Sequence, residues 1–184
     1  MIIVKEEQVR KLLPMHEALR LMRETFAALR DGTALNQPRR RLTLPTGSVL
    51  HSMAGAWGKY FGTKFYSTNP KYGAHFFFML FDAESGRPLA QMEANYLGQI
   101  RTGAASGYAT EALAAPDAST LAIIGSGFQA RTQVVAIREV RQITEIRVWS
   151  RSEPKRLTFA AETGARPAAY AEEAVRGADI VELN

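Results

Sequence analysis

The segment TLAIIGSGFQARTQVVAI, residues 120–137, has the pattern of a strand, a glycine turn and the start of a helix. It opens with the apolar residues 121–124, passes through Gly125-Ser126-Gly127, and continues with the spacing of a helix. The hexapeptide from Gly125 to Ala130 fits the pattern G-x-G-x-x-G/A. In that pattern the first glycine makes a tight turn and the second lets a ligand approach the backbone. A strand, a glycine turn and a helix N-terminus in this order predict a binding site for the pyrophosphate of a dinucleotide.

Strands and helices alternate on the C-terminal side of Pro116. We predict strands at 119–124, 145–149, 167–169 and 179–182, and helices at 128–139, 153–163 and 171–176. This alternation is typical of a parallel, doubly wound sheet. We therefore predict a Rossmann-type domain over 117–184.

The residues before Pro116 show a different order. Strands are predicted at 42–44, 48–53, 59–68, 76–81 and 88–93, with no helix between them. Consecutive strands favour an antiparallel or mixed sheet. Together with helices predicted at 14–30 and 95–113, they define an α+β domain over 1–116. The predicted fold class is α/β, with the α+β domain followed by the Rossmann-type domain.

Both N-terminal helices carry informative patterns. One face of the first helix is apolar and is expected to lie in the core or at a dimer interface; it comprises Met15, Ala18, Leu19, Met22, Phe26 and Leu29. In the second helix Asn95 suits the N-cap. Its centre, 102–107, consists of small residues with two glycines, each of which costs about 1 kcal/mol relative to alanine. A second helix or a ligand must therefore approach this backbone closely.

The end of the second Rossmann strand indicates which dinucleotide binds. An NAD site has an acidic residue there, about 20 residues beyond the glycines. This chain has Ser150-Arg151-Ser152 instead. Because arginine binds phosphate bidentately, these residues suit a 2′-phosphate, and NADP(H) is favoured with NAD(H) as the alternative.

Composition excludes several other functions. The chain has no cysteine, and His16, His51 and His75 lack metal-ligand spacing, so no metal site is predicted. The net charge of +5 has one dense basic run, Arg39-Arg40-Arg41, without interleaved aromatic residues. This pattern favours affinity for small anions over nucleic-acid binding. The N-terminus lacks a signal peptide and the longest apolar run is 76–81, so we expect a cytoplasmic protein without a membrane partner.

Several separated motifs point to one family. They are PMHEALRLMRETFAAL (14–29), QPRRRLTLP (37–45), GTKF (62–65), FDAESGRPLA (81–90), IRTGAASGYATEALA (100–114), AIIGSGFQA (122–130), VWSRS (148–152) and AEEAVRGADIV (171–181). With them the chain resembles the ornithine cyclodeaminase/mu-crystallin family nearly from end to end. The arginine-bearing helix followed by the GxGxQA turn is the most specific part of the likeness.

The resemblance implies roles for individual residues. Arg39, Lys64 and Arg101 would contact the carboxylate of a small amino- or imino-acid substrate, with Arg40 and Arg41 as alternatives to Arg39. Lys64 and Arg101 would be the catalytic residues, with Lys64 supplying a proton or a polarising charge. Arg101 and Thr102 would border substrate and nicotinamide. The rest of the cofactor site would comprise Gly125, Ser126, Gly127, Phe128, Gln129, Ala130, Ser150, Arg151 and Ser152.

The resemblance also implies an activity and an assembly. The family contains ornithine cyclodeaminases, ketimine reductases and amino-acid dehydrogenases that use NAD(H) or NADP(H), and its N-terminal part forms a dimer. Family members extend further than this chain, so we expect an incomplete Rossmann domain. The alternative interpretation is a truncated, non-catalytic nucleotide-binding protein.

Overall fold

The computed structural model describes all 184 residues and divides them into two compact units. The first unit comprises residues 1–14 and 23–98, and the second comprises 15–22 and 99–184. The division into domains at 116/117 stays a prediction.

The first unit contains a six-stranded sheet. Its strands are β1 (Ile2–Val4), β2 (Ala34–Thr43), β3 (Val49–Trp57), β4 (Tyr60–Asn69), β5 (Gly73–Asp82) and β6 (Pro88–Glu93). They lie in the order β1-β6-β5-β4-β3-β2, antiparallel except for the parallel pair of β1 and β6. This arrangement confirms the predicted mixed sheet.

Three strands of this sheet, β2, β3 and β5, are longer than the sequence indicates. β2 begins at Ala34, although the polar run that follows is typical of a loop. It can form a strand because it lies at the sheet edge, where nearly all its side chains are exposed. Pro38 and Arg39 fall where the pairing register shifts, between Gln37 and Arg40, so the proline interrupts no regular ladder.

Two short N-terminal elements were not predicted, β1 and the helix α1 (Glu6–Leu12). The carboxylate of Glu6 accepts hydrogen bonds from the backbone N–H groups of Asn95 and Tyr96, at 2.6 and 2.9 Å. These residues begin α3 (Asn95–Leu113). The prediction of Asn95 as N-cap is therefore wrong, because Asn95 is already helical and Glu6 satisfies its N–H.

The second unit contains a parallel sheet of four strands: β7 (Thr120–Ile124), β8 (Glu145–Trp149), β9 (Arg166–Pro167) and β10 (Ile180–Leu183). The helices between them are α4 (Phe128–Val140), α5 (Glu153–Thr163) and α6 (Ala171–Val175). The strands lie in the order β10-β7-β8-β9, which is the 3-2-1-4 order of a doubly wound sheet. The predicted Rossmann-type fold is confirmed, and the strand order reverses between β7 and β10.

The core of this unit lies between the sheet and its helices. Its largest fully buried members include Leu121, Ile123, Val134, Ile137 and Phe159. Burying each of these side chains contributes about 1.5–3 kcal/mol. They fix the strand ends from which the glycine turn emerges.

The small residues of α3 have a packing role. A Cβ at Gly103 would lie 2.6 Å from the carbonyl oxygen of Thr132 in α4. A Cβ at Gly107 would meet Ala136 of α4 and Leu19, which belongs to the helix α2 (Met15–Arg30). The predicted close approach is therefore made by other helices at these two glycines.

The apolar face of α2 is only partly buried. Met15, Ala18 and Leu19 are buried, whereas Phe26 and Leu29 remain exposed. The face thus lies in the core over the first turns, and for the exposed last turns the predicted dimer interface stays a prediction. None of the helices is both long enough and apolar enough to cross a membrane.

Candidate functional site

The predicted cofactor residues 125–130 comprise the connection between β7 and α4 (125–127) and the first residues of α4 (128–130), at the carboxyl end of the parallel strands. In doubly wound sheets ligands bind at this edge, next to the point where the strand order reverses. The chain's own turn lies beside that point, because the N–H of Asn184, which follows β10, donates to the carbonyl of Ile124 at 2.8 Å.

Gly125 is required by the protein itself. Its φ of +115° is a conformation that L side chains rarely adopt. A Cβ there would also lie 2.8 Å from both the Cβ and the carbonyl oxygen of Asn184. The residue therefore needs to be glycine for backbone and packing reasons alike.

Gly127 differs from Gly125, because nothing in the protein requires a glycine there. Its φ is an ordinary −78°, and a Cβ would meet no atom within 4 Å. As the N-cap of α4 it offers no side chain to the helix's first N–H groups. The open space in front of this N-terminus fits a phosphate, which such N–H groups and the helix dipole bind.

Ser150 and Ser152 lie beside this turn, on the loop after β8. The buried Ser150 hydroxyl is 2.9 Å from the hydroxyl of Ser126 and also donates to the carbonyl of Ser152 at 3.1 Å. Arg156 of α5 donates to the carbonyl of Ser150 at 2.8 Å. Ser126 and Ser150 are thus brought together, and this loop has a defined shape.

Arg151 projects from the same loop. It is exposed and makes no hydrogen bond or ion pair. Its guanidinium is therefore available to an anion, whereas Arg131 nearby is engaged: it donates to the carbonyl of Gly127 at 3.1 Å and pairs with Glu162 at 2.6 Å.

A cavity of about 420 Å³ opens next to the turn. It is lined by Ser126, Gly127, Phe128, Arg131, Pro154, Lys155 and Thr158. A larger groove of about 860 Å³ lies at the opposite end of the strands, around Ser119 and Thr144. Because ligands of such sheets bind at the carboxyl ends of the strands, the smaller cavity is the candidate site.

A buried acid lies in the same unit, on β10. The carboxylate of Glu182 accepts hydrogen bonds from Ser106 of α3, at 2.9 Å, and from Gln133 of α4. Burial raises the pKa of this carboxyl group. The group links the last strand to the two helices that pack at Gly103.

In the first unit, Arg39 and Lys64 both lie close to the aromatic ring of Tyr66. The guanidinium carbon of Arg39 lies 5.8 Å and the Lys64 ammonium 5.4 Å from the ring centroid of Tyr66. Lys64 and Tyr66 are two residues apart on β4 and so share a face of the sheet. We call Arg39, Lys64 and Tyr66 the cationic face.

The cationic face has no acidic residue near it in sequence. Between Asp31 and Asp82 the chain contains no aspartate or glutamate, but six lysines and arginines. The carboxylate of Asp82 is engaged by Ser85, whose backbone N–H and hydroxyl donate to it at 2.8 and 2.6 Å. Arg39 makes no ion pair. These strands are therefore rich in basic residues, which suits an anionic ligand.

His51 lies next to this set on β3, stacked on Tyr66 with ring centroids 4.3 Å apart. Its Nε2 is 3.0 Å from the hydroxyl of Thr68. Burial, together with the charges of Arg41 and Arg39, lowers the pKa of its imidazole. His51 is therefore neutral near pH 7 and adds no charge to the cationic face.

The position of the Lys64 ammonium group requires a glycine at position 98. A Cβ at Gly98, in the first turns of α3, would lie 2.9 Å from the Lys64 ammonium nitrogen. The other two residues that the resemblance implicates, Arg101 and Thr102, follow on the same helix, where Arg101 is exposed and Thr102 half-buried. Their roles stay predictions.

Sequence reasoning missed Tyr66, His51 and Gly98. Only Gly98 left a signal, as a glycine inside a predicted helix. The other two are identified by strand register, which pairs His51 with Tyr66 across β3 and β4. No cluster of histidine, aspartate and glutamate suited to a metal ion occurs in the structure.

The site and the topology define the class: an α/β protein with a Rossmann-type parallel sheet and a separate, mixed sheet that carries cations. Residues 1–182 match the ornithine cyclodeaminase/mu-crystallin family, and the chain belongs to that family.

Three relatives illustrate the similarity. A Delta(1)-pyrroline-2-carboxylate reductase of Bacillus cereus is 35% identical over 98% of this chain and 60% of its own length. The Thermococcus litoralis Delta(1)-pyrroline-2-carboxylate reductase, solved in complex with NADH and L-proline, is 28% identical with a TM-score of 0.91; the match covers 100% of this chain and 61% of that one. An archaeal alanine dehydrogenase dimer with bound NAD is 30% identical with a TM-score of 0.93, over 100% and 60% of the two chains. The chain thus spans about 60% of the length of these relatives.

Proposed function

We propose that this chain carries the cofactor turn and substrate-binding strands of an NAD(P)-dependent enzyme that reduces a small α-imino acid to an α-amino acid. The observation that carries the proposal is Gly127, a glycine at the N-terminus of α4 that faces open space. The similarity to an imino-acid reductase and to an alanine dehydrogenase favours reduction over cyclodeamination.

The residues of this chain would divide the work. Gly125 shapes the turn, and Gly127 with the first N–H groups of α4 would bind the pyrophosphate. The cofactor, once bound, supplies the hydride. Arg39 and Lys64 would bind the substrate carboxylate, because the two cations lie within 6 Å of the same ring centroid, that of Tyr66.

The reaction also needs a proton at the imine nitrogen, and we assign its delivery to the Lys64 ammonium. The resemblance assigns Arg101 to the same carboxylate and Thr102 to the nicotinamide side. We include both residues in the proposal on that ground alone.

We further propose that NADP(H) is preferred over NAD(H). Arg151 is exposed and unpaired on the loop whose Ser150 contacts Ser126, and no acidic residue occupies this strand end. A guanidinium there would bind a 2′-phosphate, whereas a carboxylate would repel it.

A fluorescence titration with NADPH and, separately, NADH tests both proposals. We expect binding that favours NADPH, and in Arg151→Ala a loss of about tenfold in NADPH affinity with NADH unchanged. Arg138→Ala, at the opposite end of the strands, is the control and should change neither affinity. Binding of neither nucleotide would contradict the proposed function. Equal loss for both nucleotides in Arg151→Ala would contradict only the NADP(H) preference.

Turnover separates the remaining alternatives. Net oxidation of NADPH on addition of an imino acid, or of a keto acid with an amine, is the result expected of a reductase. Conversion of ornithine without net consumption of cofactor would instead identify a cyclodeaminase. Tight nucleotide binding without any turnover would identify a non-catalytic binder.

A homodimer is the assembly we propose. Phe26 and Leu29 continue the apolar face of α2 but are 45% and 38% exposed, and the related alanine dehydrogenase was solved as a dimer. Sedimentation should show a dimer that weakens in Phe26→Ser. A monomer at all concentrations would contradict this proposal.

A further inference from the structure

We infer that Tyr66 is a substrate-binding residue whose hydroxyl donates a hydrogen bond to the carboxylate that Arg39 and Lys64 attract. This inference rests on the proposed function and adds a specificity-determining group to it.

The ring of Tyr66 is held from both sides. His51 on β3 and Phe76 on β5 are its direct cross-strand partners, and their rings stack on it at centroid distances of 4.3 and 4.7 Å. Because β3 and β5 flank β4 on opposite sides, the two partners cover opposite faces of the ring. The position of the phenol is thereby fixed before any ligand arrives.

The hydroxyl is the part of Tyr66 that remains available. Tyr66 is only 9% exposed, yet its hydroxyl makes no hydrogen bond to another protein group. The hydroxyl is accessible to solvent, in contrast to Nδ1 of His51, which is buried and has no hydrogen-bond partner. A buried tyrosine ordinarily finds a partner for its O–H, so an open and unpaired hydroxyl indicates that the partner is water or a ligand.

The charges around the ring specify the kind of ligand. Arg39 and Lys64 lie within 6 Å of the ring centroid, and no acidic residue occurs between Asp31 and Asp82. His51 is kept neutral and cannot act as a counter-ion. The phenol O–H is a hydrogen-bond donor that a carboxylate can accept from. A small carboxylate therefore matches all three groups of the cationic face.

The rigid placement gives this contact its selectivity. A donor that is already fixed loses little conformational entropy on binding, and it favours a ligand whose carboxylate fits between it and the two cations. A neutral amide at the same position can use neither cation fully. Tyr66 should thus discriminate carboxylates from their amides, and not merely support the sheet.

Calorimetric titration of the full 184-residue chain with L-proline and with L-prolinamide tests this role, with and without NADH. In Tyr66→Phe the ring and its stacking remain and only the hydroxyl is lost. We expect L-proline to bind about tenfold more weakly and L-prolinamide to change by less than about twofold. Tyr60→Phe, on the same strand but 51% exposed, is the matched control and should leave both affinities unchanged.

The outcomes separate this inference from the proposed function. Three results would each overturn the role of Tyr66. They are an unchanged L-proline affinity in Tyr66→Phe, equal weakening of both probes in that variant, and no L-proline binding by the parent chain. A different result would overturn the redox function but support the inference. In that case the chain binds neither NADH nor NADPH, and Tyr66→Phe still weakens L-proline more than L-prolinamide.

Discussion

The candidate binding surfaces of the two units are built from different groups, backbone in one unit and side chains in the other. In the parallel unit the surface is backbone: a turn with Gly125 at positive φ and a helix N-terminus behind Gly127. In the mixed-sheet unit it is side chains: Arg39, Lys64 and Tyr66, gathered from two strands of ten residues each. A backbone site is encoded locally, whereas a side-chain site depends on how strands pair.

The largest effect expected from this difference is at Gly125. Gly125→Val places a β-branched residue at a φ of +115° and a Cβ against Asn184, so we expect a loss of about 3 kcal/mol in the free energy of unfolding. Urea denaturation measures it. Gly127→Ala is the matched control: it should change stability by less than about 0.5 kcal/mol while weakening nucleotide binding. Equal destabilisation by both variants would show that the two glycines do not have separate roles.

The next effect concerns the helices behind the turn. Gly103→Ala brings a Cβ to 2.6 Å from the Thr132 carbonyl oxygen, where only backbone can give way, and should cost about 2 kcal/mol. Thermal unfolding followed by circular dichroism is the measurement. Ala109→Ser, at an exposed position of the same helix, should cost about 0.5 kcal/mol. If the two costs are alike, α3 and α4 do not pack as closely as described.

A smaller effect is expected in the mixed-sheet unit, at Glu6. Glu6→Gln weakens the acceptor of the Asn95 and Tyr96 N–H groups, with an expected loss of about 1 kcal/mol. Hydrogen exchange at these two amides should accelerate, and the turn beside Lys64 should loosen with it. Glu7→Gln, an exposed neighbour without such bonds, provides the comparison. Unaltered exchange in Glu6→Gln would argue against the capping of α3 by Glu6.

The smallest effect is a pH dependence from Asp179. The N–H groups of Ser119 and Thr120 donate to its carboxylate at 2.9 and 2.8 Å, and they lower its pKa below the ordinary 3.8. As pH falls, the unfolded chain takes up the proton first, so the stabilisation present above pH 3.8 is lost on acidification. Asp179→Asn should therefore flatten the fall of urea midpoint with decreasing pH, and Asp117→Asn should not. A slope unchanged in Asp179→Asn would refute this assignment.

Much of the parallel unit followed from sequence alone. The predicted turn at 125–130, the predicted strands at 119–124 and 145–149, and the predicted helix start at Phe128 agree with the structure to within about one residue. These predictions succeeded because glycine geometry and the periodicity of short segments are local properties of the sequence. The family likeness likewise rests on short motifs, and the family match confirms it.

The remaining features of the fold and the site depend on contacts between residues far apart in sequence, so only the tertiary structure shows them. The start of β2 at Ala34, the pairing of His51 with Tyr66, and the capping of α3 by Glu6 all required partners that no local pattern shows. A shift of one residue in strand register would turn Tyr66 to the other face of the sheet. Local sequence patterns thus predicted the glycine turn and the family, whereas only the folded sheet shows which groups stand beside Lys64.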